Sequence, residues 1–380
     1  MKASFLSENI NKKLSFVNHA VSNRSQLPVL LNFLLTTQKG KIFISATDLE
    51  IGIETNIPAN IEEEGGITVP ARVFFELISN IPKGKITLHT KGENLILESD
   101  KSKTVFQTMP REDFPKIYED KGERIATIKK NILEKDFTKI VFAASQDSGR
   151  PALSGVLIKK EKEGKKSGFL LVATDGYRLS LKKEVDAQVQ DKGEETTLLI
   201  PSRLIKELIS LKEEDDIEIY ASGKNNQVLF VQRETVLVGR LIEAEFPNYE
   251  KIIPADFSTR ATVDKRELQS AVKTSAIFAR ETTNIVKFSL ERNLPAGKAG
   301  KIIVTASAPS VGESTIEVEA KVDGEENEIA FNARYLLEFL GNIDEEQIVF
   351  EMSGPLNPGV FKIAGDPTYL HIIMPIRVQN

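Results

Sequence analysis

Residues 67–81 read Ile-Thr-Val-Pro-Ala-Arg-Val-Phe-Phe-Glu-Leu-Ile-Ser-Asn-Ile, and the chain says this three times. Residues 198–212 (LLIPSRLIKELISLK) and 329–343 (IAFNARYLLEFLGNI) repeat the pattern, each beginning 131 residues after the one before. Every copy opens with a short β-type apolar run. A proline or asparagine suited to a helix start follows (Pro70, Pro201, Asn332), then arginine (Arg72, Arg203, Arg334) and, four residues on, glutamate (Glu76, Glu207, Glu338). In the first copy Val73, Phe74, Leu77, Ile78 and Ile81 are expected on one helical face. A chance likeness between amphipathic helices does not give equal spacing, so the chain is an internal repeat.

Other landmarks keep the period. Ser45-Ala46-Thr47-Asp48 ends an alternating strand, as does Val172-Ala173-Thr174-Asp175, with Thr305-Ala306-Ser307-Ala308 as a looser third copy. Phe114-Pro115 returns as Phe246-Pro247, and Met109-Pro110-Arg111 is echoed by Met374-Pro375-Ile376-Arg377. Each unit also opens with an amphipathic helix, striped by Ile10, Leu14, Val17 and Val21, by Phe137, Ile140, Val141 and Ala144, or by Leu268, Ala271, Val272 and Ser275. The spacing predicts three α+β domains, 1–122, 123–256 and 257–380, each with two helices on antiparallel sheet. Residues 159–168 and 292–301 are expected to be long hairpin tips.

The chain's 380 residues include no cysteine, which excludes disulfides, thiol nucleophiles and cysteine-ligated metals. No apolar run approaches the roughly 18 residues of a membrane span, and the charged N-terminus lacks a signal core, so a cytoplasmic protein is expected. Fifty basic against 55 acidic residues leave a net charge of −5, which argues against a surface basic all over. The acidic surplus gathers in turn-like stretches such as Glu62–Glu64, Glu213–Asp216 and Asp344–Glu346. Three helix-like segments, 7–24, 129–150 and 264–280, are instead each net positive by two.

Catalytic motifs are absent. His19, His89 and His371 lack partners at metal-ligand spacing, and Gly164-Lys165-Lys166-Ser167 lacks the first glycine and the register of a phosphate loop. No nucleophile elbow or dinucleotide glycine cluster occurs. No cofactor and no catalysis are expected.

Taken together, Ala173-Thr174-Asp175-Gly176-Tyr177-Arg178-Leu179, Phe246-Pro247-Asn248-Tyr249 with Pro254, Phe331-Asn332-Ala333-Arg334-Tyr335 and Met374-Pro375-Ile376-Arg377 resemble the bacterial sliding clamp family, the β subunit of DNA polymerase III. The resemblance runs through the whole chain in order. It implies three clamp domains and a head-to-tail homodimeric ring around double-stranded DNA. It also implies partners that dock through short linear motifs: the polymerase III α subunit, the clamp loader, other polymerases and repair proteins. Tyr177 stands where the family often has histidine, and Lys251 where it often has arginine.

Net-positive helices inside an acidic body suit a lining that touches phosphates without reading bases. The candidate lining residues are Lys12, Arg24, Arg72, Lys135, Lys139, Arg150, Arg203, Lys206, Lys265, Arg266, Lys273 and Arg280. The resemblance sets Phe106 against Ile277 and Phe278 of a second chain. It assigns peptide binding to Leu153, Thr174, Gly176, Tyr177, Arg178, Leu179, Pro247, Lys251, Ile252, Asn332, Tyr335, Leu356, Met374, Pro375, Ile376 and Arg377. In that set Arg178 and Arg377 are expected at the rim, where they would fix peptide carbonyls or a carboxylate. The rival reading is a non-catalytic repeat scaffold for proteins alone, its basic helices merely solvated.

Overall fold

The structure, a computed structural model, describes the chain except residues 23, 148, 164–165, 191–196, 293–299 and 378–380, and the side chains of 162–167. Of the expected hairpin tips, 159–168 falls where Gly155–Glu163 pairs antiparallel with Lys166–Thr174, Glu163 opposite Lys166, while 292–301 lies largely outside the described residues and the tail Val378-Gln379-Asn380 wholly so. Two compact units emerge: Met1–Lys130 with Gln188–Lys192 and Lys206–Leu241, and Asn131–Ala187 with Gly193–Ile205 and Ile242–Asn380. The division passes through the middle repeat. Sheet continuity is the reason: the two strand groups of the first repeat, and those of the second, belong to different sheets, whereas both groups of the third lie in one twelve-stranded sheet.

The first strand group is the same in all three repeats. In the first it runs Gly65–Pro70, Asn32–Gln38, Lys41–Thr47, Ile51–Pro58, in that spatial order. The second repeat gives Thr197–Pro201, Gly155–Glu163, Lys166–Thr174, Arg178–Asp186, and the third gives Asn327–Asn332, Ile285–Glu291, Gly300–Ala308, Gly312–Gly324. The second group also recurs. It ends on Lys103–Gln107 in the first repeat, Thr235–Arg240 in the second and Asp366–Ile373 in the third.

Successive repeats are stitched where these groups meet. In the first unit Thr235–Arg240 pairs antiparallel with Ile51–Pro58, Leu237 opposite Ile53, within a nine-stranded sheet. In the second unit Asp366–Ile373 pairs with Arg178–Asp186 in the same sense, His371 opposite Ser180, within a twelve-stranded sheet. Two such edges remain. Lys103–Gln107 is the outermost strand of the first unit's five-stranded sheet. Gly312–Gly324 bonds Thr259–Asp264 only through residues 320–324, which leaves the side of its first half open.

Helices cover the sheets by burying the stripes expected of them. Ser7–Val17 buries Ile10, Leu14 and Val17, whereas Val21, expected on the same stripe, lies beyond the helix in extended backbone and is half-buried; Lys265–Ala279 buries Leu268, Ala271, Val272 and Ser275. The latter is capped by Asp264, whose carboxylate accepts from the Arg266 and Glu267 amides. In Ala71–Asn80 the buried face is Ala71, Phe74 and Ile78, and Val73 is exposed. Val73 sits at the far margin of the expected arc, a full 100° step from Phe74.

The second repeat's opening helix departs from a regular α-helix. Leu133–Phe137 makes a π turn between α-helical Lys130–Ile132 and Thr138–Val141. The extra residue rotates everything after it, so Lys135 is exposed and Lys139, four residues on, is buried. No helix of the described residues is long and apolar enough to cross a membrane.

Candidate functional site

The proposed peptide residues all lie in the second unit, and a single turn organises them. Thr174 Oγ1 donates to the Arg178 carbonyl (2.6 Å) and accepts from the Gly176 amide (3.0 Å). Asp175 Oδ1 accepts from the amides of Tyr177 and Arg178 (2.9 and 3.0 Å). Gly176 supplies the left-handed backbone at φ +90°, and a β-carbon there would lie 3.9 Å from both Leu153 and Arg150. The C-terminal segment straps the turn to the third repeat, since the Met374 amide donates to the Tyr177 carbonyl and the Ile376 amide to that of Ala330 (2.8 Å each).

Below the turn, Leu179 packs with Leu157, Val172, Val360 and Ile372, joined at the margin by Ile252, Phe246 and Tyr249. Pro247 borders a cleft of about 500 Å³ on the Leu157–Leu199 side. Asn332 caps the helix Ala333–Gly341, its side chain accepting from the Arg334 amide (2.9 Å). Pro375 is half-buried, and Lys251, Leu356 and Arg377 are exposed.

Arg178 corrects its expected place at the rim. It is 5% exposed: Nε donates to Asp175 Oδ2 (3.1 Å) and a terminal nitrogen to the Phe142 carbonyl (2.9 Å). The other terminal nitrogen forms an ion pair with Glu338 Oε2 at 2.6 Å. Its guanidinium lies over two rings, 5.4 Å from the Phe142 centroid and 4.8 Å from that of Tyr335. Tyr335 in turn stacks on the exposed Tyr177, at 6.4 Å and 19°. Burial pushes the Glu338 carboxyl up, but hydrogen bonds from Arg334 and Arg178 outweigh it and hold it below the usual range.

Glu338 and Phe142 were missed as members of this site. The signal for Glu338 was present in the repeated Arg-x-x-x-Glu, which reads as a surface pair until the fold brings Arg178 to it. Beside them His371 is wholly buried, bonded through Nδ1 to Ser180 Oγ (2.7 Å) and stacked on Phe339 (4.7 Å). Burial drives its pKa well below the ordinary value, so it is neutral.

The candidate lining residues divide by exposure. Lys12, Arg24, Arg72 and Lys206 of the first unit are exposed, as are Lys135, Arg150, Arg203, Arg266, Lys273 and Arg280 of the second; Lys265 is half-buried. Arg72 pairs with Glu76 (3.1 Å) and Arg150 with Asp147 (3.7 Å), both at the surface. Lys139 is the correction. It is buried beside Glu345, with which it is ion-paired, and so is withdrawn from any surface that meets phosphate. Phe106 is also buried, edge-on to Phe74 at 5.6 Å, which leaves little of it to meet a second chain. Its neighbour Val105 is exposed, as is Ile277, and Phe278 is half-buried.

Residues 1–118, 127–248 and 250–377 match, in order, the N-terminal, central and C-terminal domain profiles of the DNA polymerase III beta subunit. The chain belongs to the DNA polymerase III beta subunit family. A beta sliding clamp of Caulobacter vibrioides is 30% identical over 370 residues, 97% of each chain. The solved beta subunits of Pseudomonas aeruginosa and Thermotoga maritima superpose over the full length of both chains, with TM-scores of 0.90 and 0.87 at 27% and 28% identity. The three-domain arrangement of antiparallel sheet and helices is therefore that of this family.

Proposed function

We propose that this chain is a sliding clamp that tethers DNA polymerase to its template for processive synthesis, and that it does so without catalysis. The observation that carries the reading is the pair of open edges. Lys103–Gln107 and the first half of Gly312–Gly324 are the counterparts of the strands that stitch one repeat to the next. Two copies that pair these edges reciprocally, head to tail, leave neither unpaired and close on themselves. Val105, Ile277 and Phe278 are the side chains we assign to that contact.

In such a ring the exposed basic residues of the helices, Lys139 excepted, face duplex DNA. Contact with phosphates alone is independent of sequence and weakens with salt, so the ring slides and topology does the holding. We assign the cluster around Tyr177, Leu179, Met374 and Ile376 to docking the polymerase III α subunit, the clamp loader and repair proteins through linear motifs, in the cytoplasm. The domains of this reading are 1–122, 123–256 and 257–380.

The test is topological. Clamps loaded onto a nicked circle should survive a high-salt wash and slide off when the circle is cut to a linear form. Equal retention on circular and linear DNA would contradict encirclement and favour a protein-only scaffold.

A further inference from the structure

The turn at Thr174–Arg178 has a twin that works without arginine. In the first repeat Thr47 Oγ1 donates to the Ile51 carbonyl (2.7 Å) and accepts from the Leu49 amide (3.0 Å). Asp48 Oδ1 accepts from the amides of Glu50 and Ile51 (3.1 and 3.0 Å). The hydrogen bonds are those of the second repeat, yet Ile51 stands where Arg178 stands and is buried. The turn therefore folds around an apolar side chain. A buried guanidinium is not needed for it, and it brings a desolvation cost that only full pairing offsets.

The glutamates of the three Arg-x-x-x-Glu copies are used differently. Glu76 pairs with its own Arg72 at the surface, and Glu207 meets His19 at 2.7 Å. Glu338 pairs with Arg334 (2.8 Å) and also reaches the buried Arg178 (2.6 Å). What Arg178 does, once neutralised, is lie over the Tyr335 ring as well as that of Phe142, while Tyr335 stacks on the exposed Tyr177.

We infer that Glu338 is a positioning residue of the peptide site: it holds Arg178 against Tyr335, and thereby sets the Tyr335–Tyr177 pair as the site's exposed aromatic wall. The inference rests on the peptide-docking reading of this cluster. Glu338 does not touch the peptide; it acts through Arg178, whose cation fixes the ring that the peptide meets. Arg334, its surface partner, has no such part.

The test is binding of a synthetic peptide copied from the clamp-binding segment of the same organism's replicative polymerase, measured on the full-length chain by anisotropy. Glu338→Gln should weaken the peptide about tenfold, a loss between that of an exposed and that of a desolvated cation–π contact. Arg334→Ala should stay within about twofold, as for an exposed pair. The double variant Arg178→Met/Glu338→Leu separates positioning from stability, because apolar replacement of a buried ion pair commonly preserves folding. It should keep a near wild-type urea midpoint and still bind weakly. Wild-type affinity in either Glu338→Gln or the double variant overturns the inference while the pocket stands. A wild-type chain that does not hold the peptide overturns the pocket reading and this inference with it.

Discussion

The two joints between repeats use one backbone design with different side chains. In the first unit, Ile51, Gly52, Ile53 and Glu54 face Gly239, Val238, Leu237 and Val236, and the joint holds no buried ionisable group among the described residues, its buried polar contact being the Thr55–Thr235 hydroxyl pair at 3.1 Å. In the second, Arg178, Leu179, Ser180, Leu181 and Lys182 face Ile373, Ile372, His371, Leu370 and Tyr369. There Arg178, Ser180, Lys182 and His371 are all buried, and Lys182 is paired with Asp366 at 2.8 Å. The apolar joint shows what the fold requires. Of the ionisable groups added in the second joint, Arg178 reaches the candidate peptide site through Tyr335, and such a site is where a chain is expected to accept a stability cost for function.

The largest way to break the comparison is Ile51→Arg, which puts the second joint's charge into the first without a Glu338. It should cost about 4 kcal/mol, read from urea unfolding. A mild effect would mean that the first joint has room or partners for a cation. Leu237→Ala should cost about 3 kcal/mol by leaving a cavity in the apolar joint, with no change in peptide affinity. Loss of peptide binding would mean that the joints are not independent.

Acid should distinguish the joints more gently. His371 is held neutral by burial while the unfolded chain takes up a proton near the ordinary value of 6.5. Its contribution is complete above that pH and declines as pH falls below it, by at most about 1.4 kcal/mol per pH unit. Wild-type stability should therefore fall between pH 6.5 and 5, and His371→Phe should flatten that part of the profile. An unchanged profile would place the acid sensitivity elsewhere. The smallest effect belongs to Arg72→Ala, which removes an exposed i,i+4 pair worth about 0.3 kcal/mol. Its retention on DNA should weaken while its unfolding midpoint barely moves.

Much of the fold was legible because repetition and hydrophobic period are local signals. The stripe Ile10, Leu14, Val17 and the capped start at Asn332 need no tertiary knowledge. What was not legible came from events that a regular period cannot show. The π turn at Leu133–Phe137 rotated Lys139 inward, and the phase of the five-residue strand Lys103–Gln107, which buries Phe106 and turns Val105 outward, is set by the sheet it joins and not by its own alternation. Arg178 looked like a rim cation because its partners, Glu338 and the Phe142 carbonyl, come from 160 residues after it and 36 before it.

Both joints, and the two edges left open, lead to one quantity: the mass of the chain in solution. Sedimentation equilibrium should return twice the mass of one chain, with no larger species as concentration rises, because reciprocal pairing uses both edges at once. A single-chain mass at every concentration, or an open series of ever larger species, would contradict the closed head-to-tail dimer.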